Sequence, residues 1–576
     1  MLAGGLTTFA VVYDATWFRS QADQAAYQAA ADIRVVTPSY SKVPGSFVGP
    51  SYRAMSGVTA ASPVIRTTVE IGGTVRSAEL MGVDAVRMPA QADLPGGPHG
   101  PLGSALGGLA GGRPAVPAIA LPGQTLRLAV TVDAKLQSVT IPGFGLPEGE
   151  LVPAPKGIDV TAVILDGDGG IWRFTSTNQV AFSGKGEELD IPLRADAATG
   201  ATPGVADRLT PPLRLEALEV LLTPRDAVTN TTGTVDLRGV QASDAATGTN
   251  WSVLPFDPSQ PGWSWARIDA QEGQHVYDPP AGLPDRISLD STNPIGSFFQ
   301  ESATTFRVSA APATVLTVHA IASSGYLAAS GQHVGDTILG SVLGNPVHFQ
   351  IVGEAVGVPP LDPTQPFLVV DGPTLGLADY FGSSAALPVT EWWLSVEPGH
   401  TADVARKLGA PPFSATTIIS REALQLALQG DPVALGVVGA LLLGAISAVL
   451  FAALGFLVSA SASIGSRADE FGLLRALGLT DGQLIRWLAA EQALLLAVGV
   501  AVGMALGVAF GWVVLPAANF TPTGAAPVPE ATLIVPLQVL AAMAVGSLGL
   551  LVATLLVARR IIGRISVAAT LRAVVE

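Results

Sequence analysis

Residues 432–466 read PVALGVVGALLLGAISAVLFAALGFLVSASASIGS and contain no charged side chain. A helix needs about 20 apolar residues to cross the hydrocarbon core of a bilayer, and buried helices of soluble proteins rarely stay uncharged beyond about 18 residues. Two further uncharged runs follow at 492–529 and 531–558. The three runs predict transmembrane helices over about 433–464, 487–515 and 533–558.

The composition of the whole chain agrees with a membrane protein of several domains. Of its 576 residues, 49% are hydrophobic and 13% are charged, whereas soluble chains contain about 25% charged residues. The chain contains no cysteine, which excludes disulfides, thiolate metal sites and cysteine nucleophiles.

Arginine positions predict the orientation in the cell membrane. The basic residues beyond position 431 lie between the first two runs or after the third, whereas the loop 517–532 has none. Because basic loops stay in the cytoplasm, we expect residues 466–486 and the tail 559–576 inside the cell. Residues from about 14 to 431 then lie outside, in a multi-pass protein. The basic residues are Arg467, Arg475, Arg486, Arg559, Arg560, Arg564 and Arg572.

The large outer region is acidic. Residues 1–431 contain 24 Lys and Arg against 40 Asp and Glu. Because nucleic acids bind to basic surfaces, this balance argues against a nucleic-acid partner.

The N-terminal segment 1–13, MLAGGLTTFAVVY, is apolar but too short to span a bilayer. It also lacks the basic residues and the cleavage site of a signal peptide. We interpret it as the end of a truncated transmembrane helix, which would be a fourth span. The alternative is an apolar helix that lies on the membrane surface.

The first part of the outer region combines helix and strand patterns. Residues 14–33 read as a helix that leaves the membrane. The stretch VIRTTVEI-GG-TVRSAELMGV (64–83) predicts a β-hairpin, because two β-branched runs flank a Gly-Gly pair. Residues 92–124 are dense in Gly and Pro and read as a linker.

Short alternating runs separated by turns dominate residues 120–255 and predict an inserted β-sandwich. Mixed patterns return after a Pro-rich stretch, so residues 14–115 and 256–428 are expected to form one extracytoplasmic mixed α/β domain that carries the insertion. The expected fold class is an α+β membrane protein, with a bundle of three complete transmembrane helices, a stub of a fourth, and this large extracytoplasmic region.

The polar stretch SRADEFGLLRALGLTDGQLIRW (466–487) separates the first two spans. Ser466 begins an S-x-x-D pattern and Thr480 begins a T-x-x-Q pattern, and both fit a helix-capping box. Gly478, between them, suits the left-handed end of a helix. The stretch therefore predicts a short helix, a tight turn and a new helix start.

An apolar stripe runs along this short helix, because Phe471, Leu474 and Leu477 lie three residues apart. The stripe predicts a short amphipathic helix at the cytoplasmic face. The alternative is a solvated connection between two spans, since charged runs usually face water.

Residues 467–496 resemble the signature of the FtsX-like permease family, the transmembrane subunits of MacB-type ABC transporters. In that family a basic residue and a Glu precede G-x-L-R-A-L-G, and a Gln and a span that begins near a Glu follow. The tail 557–574 also resembles the family's ending, and the resemblance is clearest over 430–576. The matching residues are Arg467, Glu470, Gly472, Leu474, Arg475, Ala476, Leu477, Gly478, Gln483 and Glu491.

The resemblance implies that residues 466–486 form a cytoplasmic coupling helix. A separate ABC-type ATPase, which itself binds ATP and Mg²⁺, would grip this helix and move the outer domains by mechanotransmission, so this chain needs no cofactor of its own. The further partners are a second permease half or homodimer partner and the lipid bilayer. The coupling residues would be Arg467, Glu470, Phe471, Gly472, Leu474, Arg475, Leu477 and Gly478.

Glycines recur at every fourth position of the second span, at Gly499, Gly503, Gly507 and Gly511. At about 3.6 residues per turn they form one smooth stripe, which permits close contact with another helix. The partner is either another span of this chain or a second permease half. The alternative explanation is the high glycine content of 64 residues.

No catalytic constellation stands out in the sequence. Neither the P-loop pattern G-x-x-x-x-G-K-[ST] nor H-E-x-x-H occurs, so we expect neither an enzyme nor a metal site. The stretch LDGDGGIW (165–172) places Asp166 and Asp168 as in a Ca²⁺ loop but lacks the terminal Glu. We interpret it as a hairpin turn, with a weak cation site as the alternative.

Three function classes fit these features. The first is an ABC transporter permease that exports or extracts a lipid, lipoprotein or peptide. The second is an ATP-driven transmembrane regulator of a cell-wall hydrolase. The third is a membrane-anchored carbohydrate-binding protein, in which the sandwich recognises the ligand and the spans only anchor it.

Overall fold

The computed structural model of the protein divides into two compact units, Met1–Tyr27 with Glu422–Glu576, and Gln28–Arg421. It describes residues 1–37, 48–72, 74–91, 100–114, 118–123, 125–140, 151–152, 157–180, 182, 184–194, 209–223, 229–269, 273–289, 303–310, 316–383, 387–467, 470, 474, 478–515 and 527–562.

The helices of the described residues are short in the middle of the chain and long near its two ends. They are α1 (Leu2–Ala29), α2 (Gly49–Arg53), α3 (Met88–Gln91), α4 (Pro101–Leu109), α5 (Ser324–Ser330), α6 (Gly372–Ser383), α7 (Thr401–Gly409), α8 (Arg421–Gln429), α9 (Pro432–Ser466), α10 (Asp481–Val514) and α11 (Leu537–Ile562).

The described strands all lie in the unit Gln28–Arg421. They are β1 (Ile33–Val36), β2 (Val58–Glu70), β3 (Ser77–Val83), β4 (Ile119–Ala120), β5 (Arg127–Thr140), β6 (Leu151–Val152), β7 (Gly157–Leu165), β8 (Ile171–Thr175), β9 (Glu187–Pro192), β10 (Arg214–Thr223), β11 (Thr229–Ser243), β12 (Ser252–Val253), β13 (Ser264–Asp269), β14 (Gly273–Tyr277), β15 (Arg286–Leu289), β16 (Thr304–Ser309), β17 (Thr317–Ser323), β18 (Thr337–Val342), β19 (Asn345–Ala355), β20 (Phe367–Asp371), β21 (Glu391–Val396) and β22 (Thr417–Ser420).

Three of the long helices have the length and apolar composition to cross a membrane, over Pro432–Ser459, Gly482–Val514 and Leu537–Leu556. They confirm the three membrane-length helices predicted from the uncharged runs. Large apolar side chains are exposed along them, including Phe451 and Trp512. Exposure of this kind is unfavourable in water and is expected of helices that face lipid.

Helix α1 packs against this group of long helices. Phe9, Val12 and Trp17 share an apolar core with residues of α9 and with the end of α10, and the rings of Phe9 and Phe510 lie 4.8 Å apart. The Thr16 hydroxyl accepts a hydrogen bond of 3.1 Å from the Ile534 amide. Residues 1–13 therefore belong to the same unit as the three membrane-length helices. Their interpretation as a truncated span stays a prediction.

A nine-stranded mixed sheet forms one part of the unit Gln28–Arg421, in the order β18-β19-β17-β20-β3-β2-β21-β1-β22. This unit is called the outer unit below, after its predicted location. The pairs β17–β19 and β20–β3 are parallel, and the other neighbours are antiparallel. The hairpin predicted at 64–83 is confirmed, because β2 and β3 pair from Val64 with Val83 to Glu70 with Ser77. The sheet and its helices agree with the predicted mixed α/β architecture.

Two antiparallel sheets form the other part. One follows the path β14-β13-β16-β10-β7-β8 with β4 beside β10, and the other follows β12-β11-β5-β6 with β15 and β9 at its sides. Apolar side chains from both sheets form a single core, which includes Val130, Ile158, Leu218, Val235 and Phe306. Burial of this core holds the region together without disulfides.

The two-sheet region extends further along the chain than the predicted 120–255. Strands β13 and β16 pair with each other, and β16 pairs with β10, so the region continues to Ser309. The Pro-rich stretch near 254–263 is a connection within the region rather than a domain boundary. The extent of the two-sheet region is set by pairing between strands that lie far apart in the sequence, which the local sequence pattern does not reveal.

The stretch 92–124 is not a simple linker, because its described residues include α4. Leu106 and Leu109 of this helix are fully buried in a core with strands of the nine-stranded sheet. These two leucines and Leu102, which packs against the same core, lie three to four residues apart, which is the spacing of one helix face. The helical pattern prevails over the high glycine content.

Helix α6 joins the two parts of the outer unit. Leu375 packs into a core of the nine-stranded sheet, whereas Leu377 and Tyr380 pack against β7, β8 and β10. The Tyr380 hydroxyl also donates a 2.9 Å hydrogen bond to Glu219, and the buried Arg307 guanidinium donates one of 3.2 Å to the Tyr380 carbonyl. The contacts of α6 therefore fix the two-sheet region on the mixed domain.

Candidate coupling segment and helix-packing face

The predicted coupling segment connects α9 and α10, the first two membrane-length helices. Of its predicted coupling residues, Arg467, Glu470, Leu474 and Gly478 are described, and Phe471, Gly472, Arg475 and Leu477 lie outside the described residues. Ser466 is the last residue of α9, and Asp469, the partner in its predicted capping pattern, lies outside the described residues.

Gly478 adopts the left-handed conformation that its position predicts, with a φ of 96°. The Leu479 amide donates a 3.1 Å hydrogen bond to the Leu474 carbonyl. This bond, around a left-handed glycine, is the six-to-one bond of the Schellman motif that ends helices. The helical turn before Gly478 therefore ends there, and the next helix begins three residues later, at Asp481.

The new helix α10 begins with the contact that the T-x-x-Q pattern predicts. The Thr480 amide donates a 2.9 Å hydrogen bond to Gln483 Oε1, and the Thr480 hydroxyl donates one of 3.2 Å to the same oxygen. One of the free amides at the helix start is thus satisfied. Leu484 and Leu488 are buried one and two turns later, which anchors the start of α10 by burial.

An ion pair joins the start of the segment to α10. Arg467 Nη1 lies 3.3 Å from Glu491 Oε2, and both side chains are more than one third exposed. A pair at this level of exposure contributes about 1 kcal/mol or less. Its position joins the end of α9 to the third turn of α10, and its contribution to the stability of the fold is small.

The glycine stripe of α10 faces α1. A Cβ added at Gly503 would lie 2.7 Å from the Met1 carbonyl oxygen, and one at Gly507 would lie 2.5 Å from the Gly5 carbonyl oxygen. Since Cβ atoms do not approach other atoms so closely, only glycine fits at these two positions. A Cβ added at Gly511 would lie 3.3 Å from Val12 Cγ1, and one at Gly499 would lie 3.9 Å from the Met1 nitrogen, so there is more space at these two positions.

Residues 442–567 match the family model for the FtsX-like permease C-terminal region. The FtsX-like resemblance predicted from 467–496 is therefore confirmed. No curated protein matches the chain. The FtsX-like region contains the last part of α9, the whole of α10 and α11, and the predicted coupling segment between the first two.

Sequence reasoning missed the partner of the glycine stripe, which lies outside the FtsX-like region. A Cβ added at Gly4 would meet Gly503 Cα at 3.6 Å, and one at Gly5 would meet the Gly503 carbonyl at 3.3 Å. The adjacent pair Gly4–Gly5 in an otherwise apolar run was the available signal, because small residues mark close helix contacts.

The candidate cation loop at 165–172 is a hairpin turn between β7 and β8. Asp166 accepts hydrogen bonds from the Asp168 and Gly170 amides and from Trp172 Nε1, at 2.8–2.9 Å. Burial, together with the neighbouring Asp168, raises the pKa of the Asp166 carboxyl. Among the described residues no group of three metal-ligating side chains forms.

Two arginines of the nine-stranded domain form ion pairs with Asp168 of this hairpin. Arg53 Nη2 lies 2.6 Å from Asp168 Oδ2, and Arg87 Nη1 lies 2.6 Å from Asp168 Oδ1. The Thr210 hydroxyl donates a further bond of 2.6 Å. The carboxylate is therefore a structural link between the hairpin and the nine-stranded domain.

Proposed function

We propose that this chain is the transmembrane permease subunit of an ABC transporter, and that a separate ATPase acts on residues 466–486. The observation that supports this most is the match of 442–567 to the FtsX-like permease C-terminal family, together with three membrane-length helices. The ATPase would bind ATP and Mg²⁺, and this chain would convert its movement into movement of the outer unit.

The local structure of the segment suits force transmission. The Gly478 turn and the Thr480–Gln483 contact lie inside the segment, and the Arg467–Glu491 pair links its first residues to α10. Because the backbone groups at this turn and this contact are satisfied, a push is passed on to α10 instead of being absorbed by fraying. The apolar stripe Phe471, Leu474 and Leu477 would dock in a groove of the ATPase, and Arg467, Glu470 and Arg475 would set the register.

A route from α10 to the outer unit runs through α1. The glycine stripe brings the two helix backbones together, and α1 continues without a break from Leu2 to Ala29. Strand β1 of the nine-stranded sheet begins four residues later, at Ile33. A displacement of α10 would therefore be delivered by a continuous helix to a strand of the outer sheet.

The remaining topology follows from the same proposal. Residues 466–486 and 559–576 would be cytoplasmic, and the outer unit would be extracytoplasmic with the two-sheet region as an inserted β-sandwich. A second permease half or a second copy would complete the transporter in the cell membrane. The cargo would be a lipid, lipoprotein or peptide that the outer unit exports or extracts.

The experiment that tests this function is reconstitution of the chain with the ABC-type ATPase that co-purifies with it. We expect the chain to stimulate ATP hydrolysis, and we expect the double variant Phe471→Asp/Leu474→Asp to abolish the stimulation. The matched control is Val253→Asp, a change at an exposed position of the outer unit, which should leave it intact.

Two results would contradict the proposal. If no ATPase co-purifies, the chain is a membrane-anchored binding protein. If the double variant still stimulates hydrolysis fully, the segment does not couple. Loss of wall-hydrolase activity, without loss of a secreted substrate, would instead assign the chain to the regulators of cell-wall hydrolases.

A further inference from the structure

Glu216 occupies a β-bulge in the middle of the seven-stranded sheet. The register between β10 and β7 shifts between Leu215 and Ala217, so Glu216 is the extra residue on β10. Its carbonyl accepts a 3.0 Å hydrogen bond from the Ala310 amide. Bulges redirect a side chain and occur next to functional sites more often than elsewhere.

The Glu216 side chain is fully buried, and neither carboxylate oxygen has a hydrogen-bond partner among the described residues. Buried polar atoms almost always have a partner, so an isolated carboxyl needs an explanation such as a bound water or ligand. Burial raises the pKa of this carboxyl to about 7, and the Arg214 charge acts in the opposite direction.

Glu216 lines a cavity of about 390 Å³ between β10, the 165–172 hairpin and the start of α6. This volume lies in the range of small-molecule sites, about 300–1,000 Å³. The charged residues of its wall, taken from every element that contributes to it, are Asp84, Arg87, Arg113, Asp166, Arg214 and Glu216.

The other buried acids and the two partly buried arginines of this wall are already engaged. Asp166 accepts three hydrogen bonds within its hairpin. Arg87 pairs with Asp168 at 2.6 Å, and Arg113 pairs with Asp84 and Asp371, both at 2.8 Å. The buried group that still lacks a partner is thus an acceptor, the Glu216 carboxylate. It would receive a donor, and preferably a positively charged one.

We propose that this cavity binds a small organic cation whose guanidinium or ammonium group donates hydrogen bonds to the Glu216 carboxylate. A metal ion fits less well, since no set of three ligating side chains forms in the described part of the chain. An anion fits less well because Arg87 and Arg113 are neutralised by Asp168, Asp84 and Asp371, and the remaining arginine of the wall, Arg214, is exposed. The site does not depend on the permease function, so each can fail without the other.

The test is calorimetric titration of the full-length protein in detergent micelles with methylguanidinium. Its neutral isostere, N-methylurea, is the control probe. Because the cation binds the charged carboxylate, and the pKa of Glu216 is about 7, its affinity should rise about tenfold from pH 6 to pH 8. N-methylurea should bind at least about tenfold more weakly at pH 8, with no such rise.

The variant Glu216→Gln keeps the shape of the side chain and removes the charge. We expect it to lose the pH dependence and at least about tenfold of the affinity for methylguanidinium, while Glu188→Gln, at an exposed position of β9, should bind as the unchanged protein does. Equal binding of the two probes, or unchanged binding by Glu216→Gln, would show a water-filled cavity and overturn the proposal. If that variant does not fold, the comparison of the probes across pH decides alone.

A parallel titration with N-acetyl-arginine methylamide separates two sources of the same cation. Binding as tight as that of methylguanidinium would show that the cavity admits an arginine side chain of a polypeptide. Exclusion of the larger probe would restrict it to free small cations.

Discussion

Asp32 and Arg421 clamp together the two places where the chain enters the outer unit. Asp32 Oδ1 lies 2.7 Å from Arg421 Nη2, and the Arg421 amide donates a 3.0 Å bond to the Asp32 carbonyl. Their neighbours Ile33 and Ser420 are paired residues of adjacent antiparallel strands. Helices α1 and α8 are therefore connected to the same edge of the nine-stranded sheet.

Removal of the Asp32 side chain should loosen this clamp. Asp32→Ala breaks the ion pair and also leaves the Val396 amide, which donates a 2.9 Å bond to Asp32 Oδ2, without its acceptor. We expect a loss of about 1–2 kcal/mol in the free energy of unfolding, measured by denaturant titration. Arg406→Ala, which breaks a fully surface pair with Asp403, should change it by less than about 0.5 kcal/mol. Equal effects of the two variants would contradict the clamp.

The contact between α1 and α10 can be tested by adding volume to the stripe. Gly507→Val should push the helices apart, because a Cβ there would lie 2.5 Å from the Gly5 carbonyl oxygen and 2.6 Å from Thr8 Cβ. We expect a cost of about 1–3 kcal/mol and a lower yield of a disulfide between cysteines introduced at Val12 and Gly511. The chain has no cysteine of its own, so the background is nil. Gly546→Val is the control, because a Cβ at Gly546 meets nothing within 4 Å, and an unchanged yield in Gly507→Val would refute the contact.

The junction at α6 should be sensitive to its buried arginine. Arg307→Met leaves Glu219 with less compensation in a buried site, since both side chains are about 1% exposed and lie 4.0 Å apart. Glu219 keeps its ion pair with Arg173, so we expect Arg307→Met to cost about 1–3 kcal/mol through the lost buried hydrogen bonds. Tyr380→Phe, which removes one hydrogen bond to Glu219, should cost about 1 kcal/mol. Limited proteolysis should then release the two-sheet region faster in Arg307→Met. If both variants unfold and are cleaved like the unchanged protein, α6 does not hold the parts together.

The buried Glu216 predicts a pH dependence of stability. Its folded pKa of about 7 is raised above the ordinary value of 4.5, so folding takes up a proton at intermediate pH. The carboxyl therefore destabilises the fold progressively as the pH rises above about 4.5, and the effect is complete above about 7. Without a ligand, Glu216→Gln should melt at a higher temperature than the unchanged protein at pH 8, and the difference should narrow at pH 5. A constant difference would mean that Glu216 does not titrate in this range.

The features that the sequence predicts correctly depend on patterns within short stretches of the chain. The uncharged runs, the Gly478 turn, the Thr480–Gln483 contact and the 64–83 hairpin each depend on residues close together in the chain, and the structure has all of them. The FtsX-like resemblance of 467–496 is equally local. The spacing of the glycine stripe predicts a packing face, and two of its members, Gly503 and Gly507, lie close to α1.

Features that depend on distant residues were beyond the sequence. Strand β16 joins the seven-stranded sheet by pairing with β10, about 80 to 90 residues away, and β13 joins it by pairing with β16. The isolation of Glu216 depends on a bulge and on which arginines are taken by Asp168, Asp84 and Asp371. Helix α4 was not predicted, because its glycines indicate a linker and the residues that bury its three leucines lie elsewhere in the chain.

The central claim is that residues 466–486 lie in the cytoplasm, where a separate ATPase acts on them. Its most direct test is labelling of a single cysteine at Leu479, next to the Gly478 turn, with a membrane-impermeant maleimide in intact cells. A cysteine at Val253, exposed in the outer unit, is the matched control. We predict that Val253→Cys is labelled from outside, that Leu479→Cys is labelled only after the membrane is permeabilised, and that the bound ATPase protects it. Labelling of Leu479→Cys in intact cells would contradict both the topology and the proposed coupling.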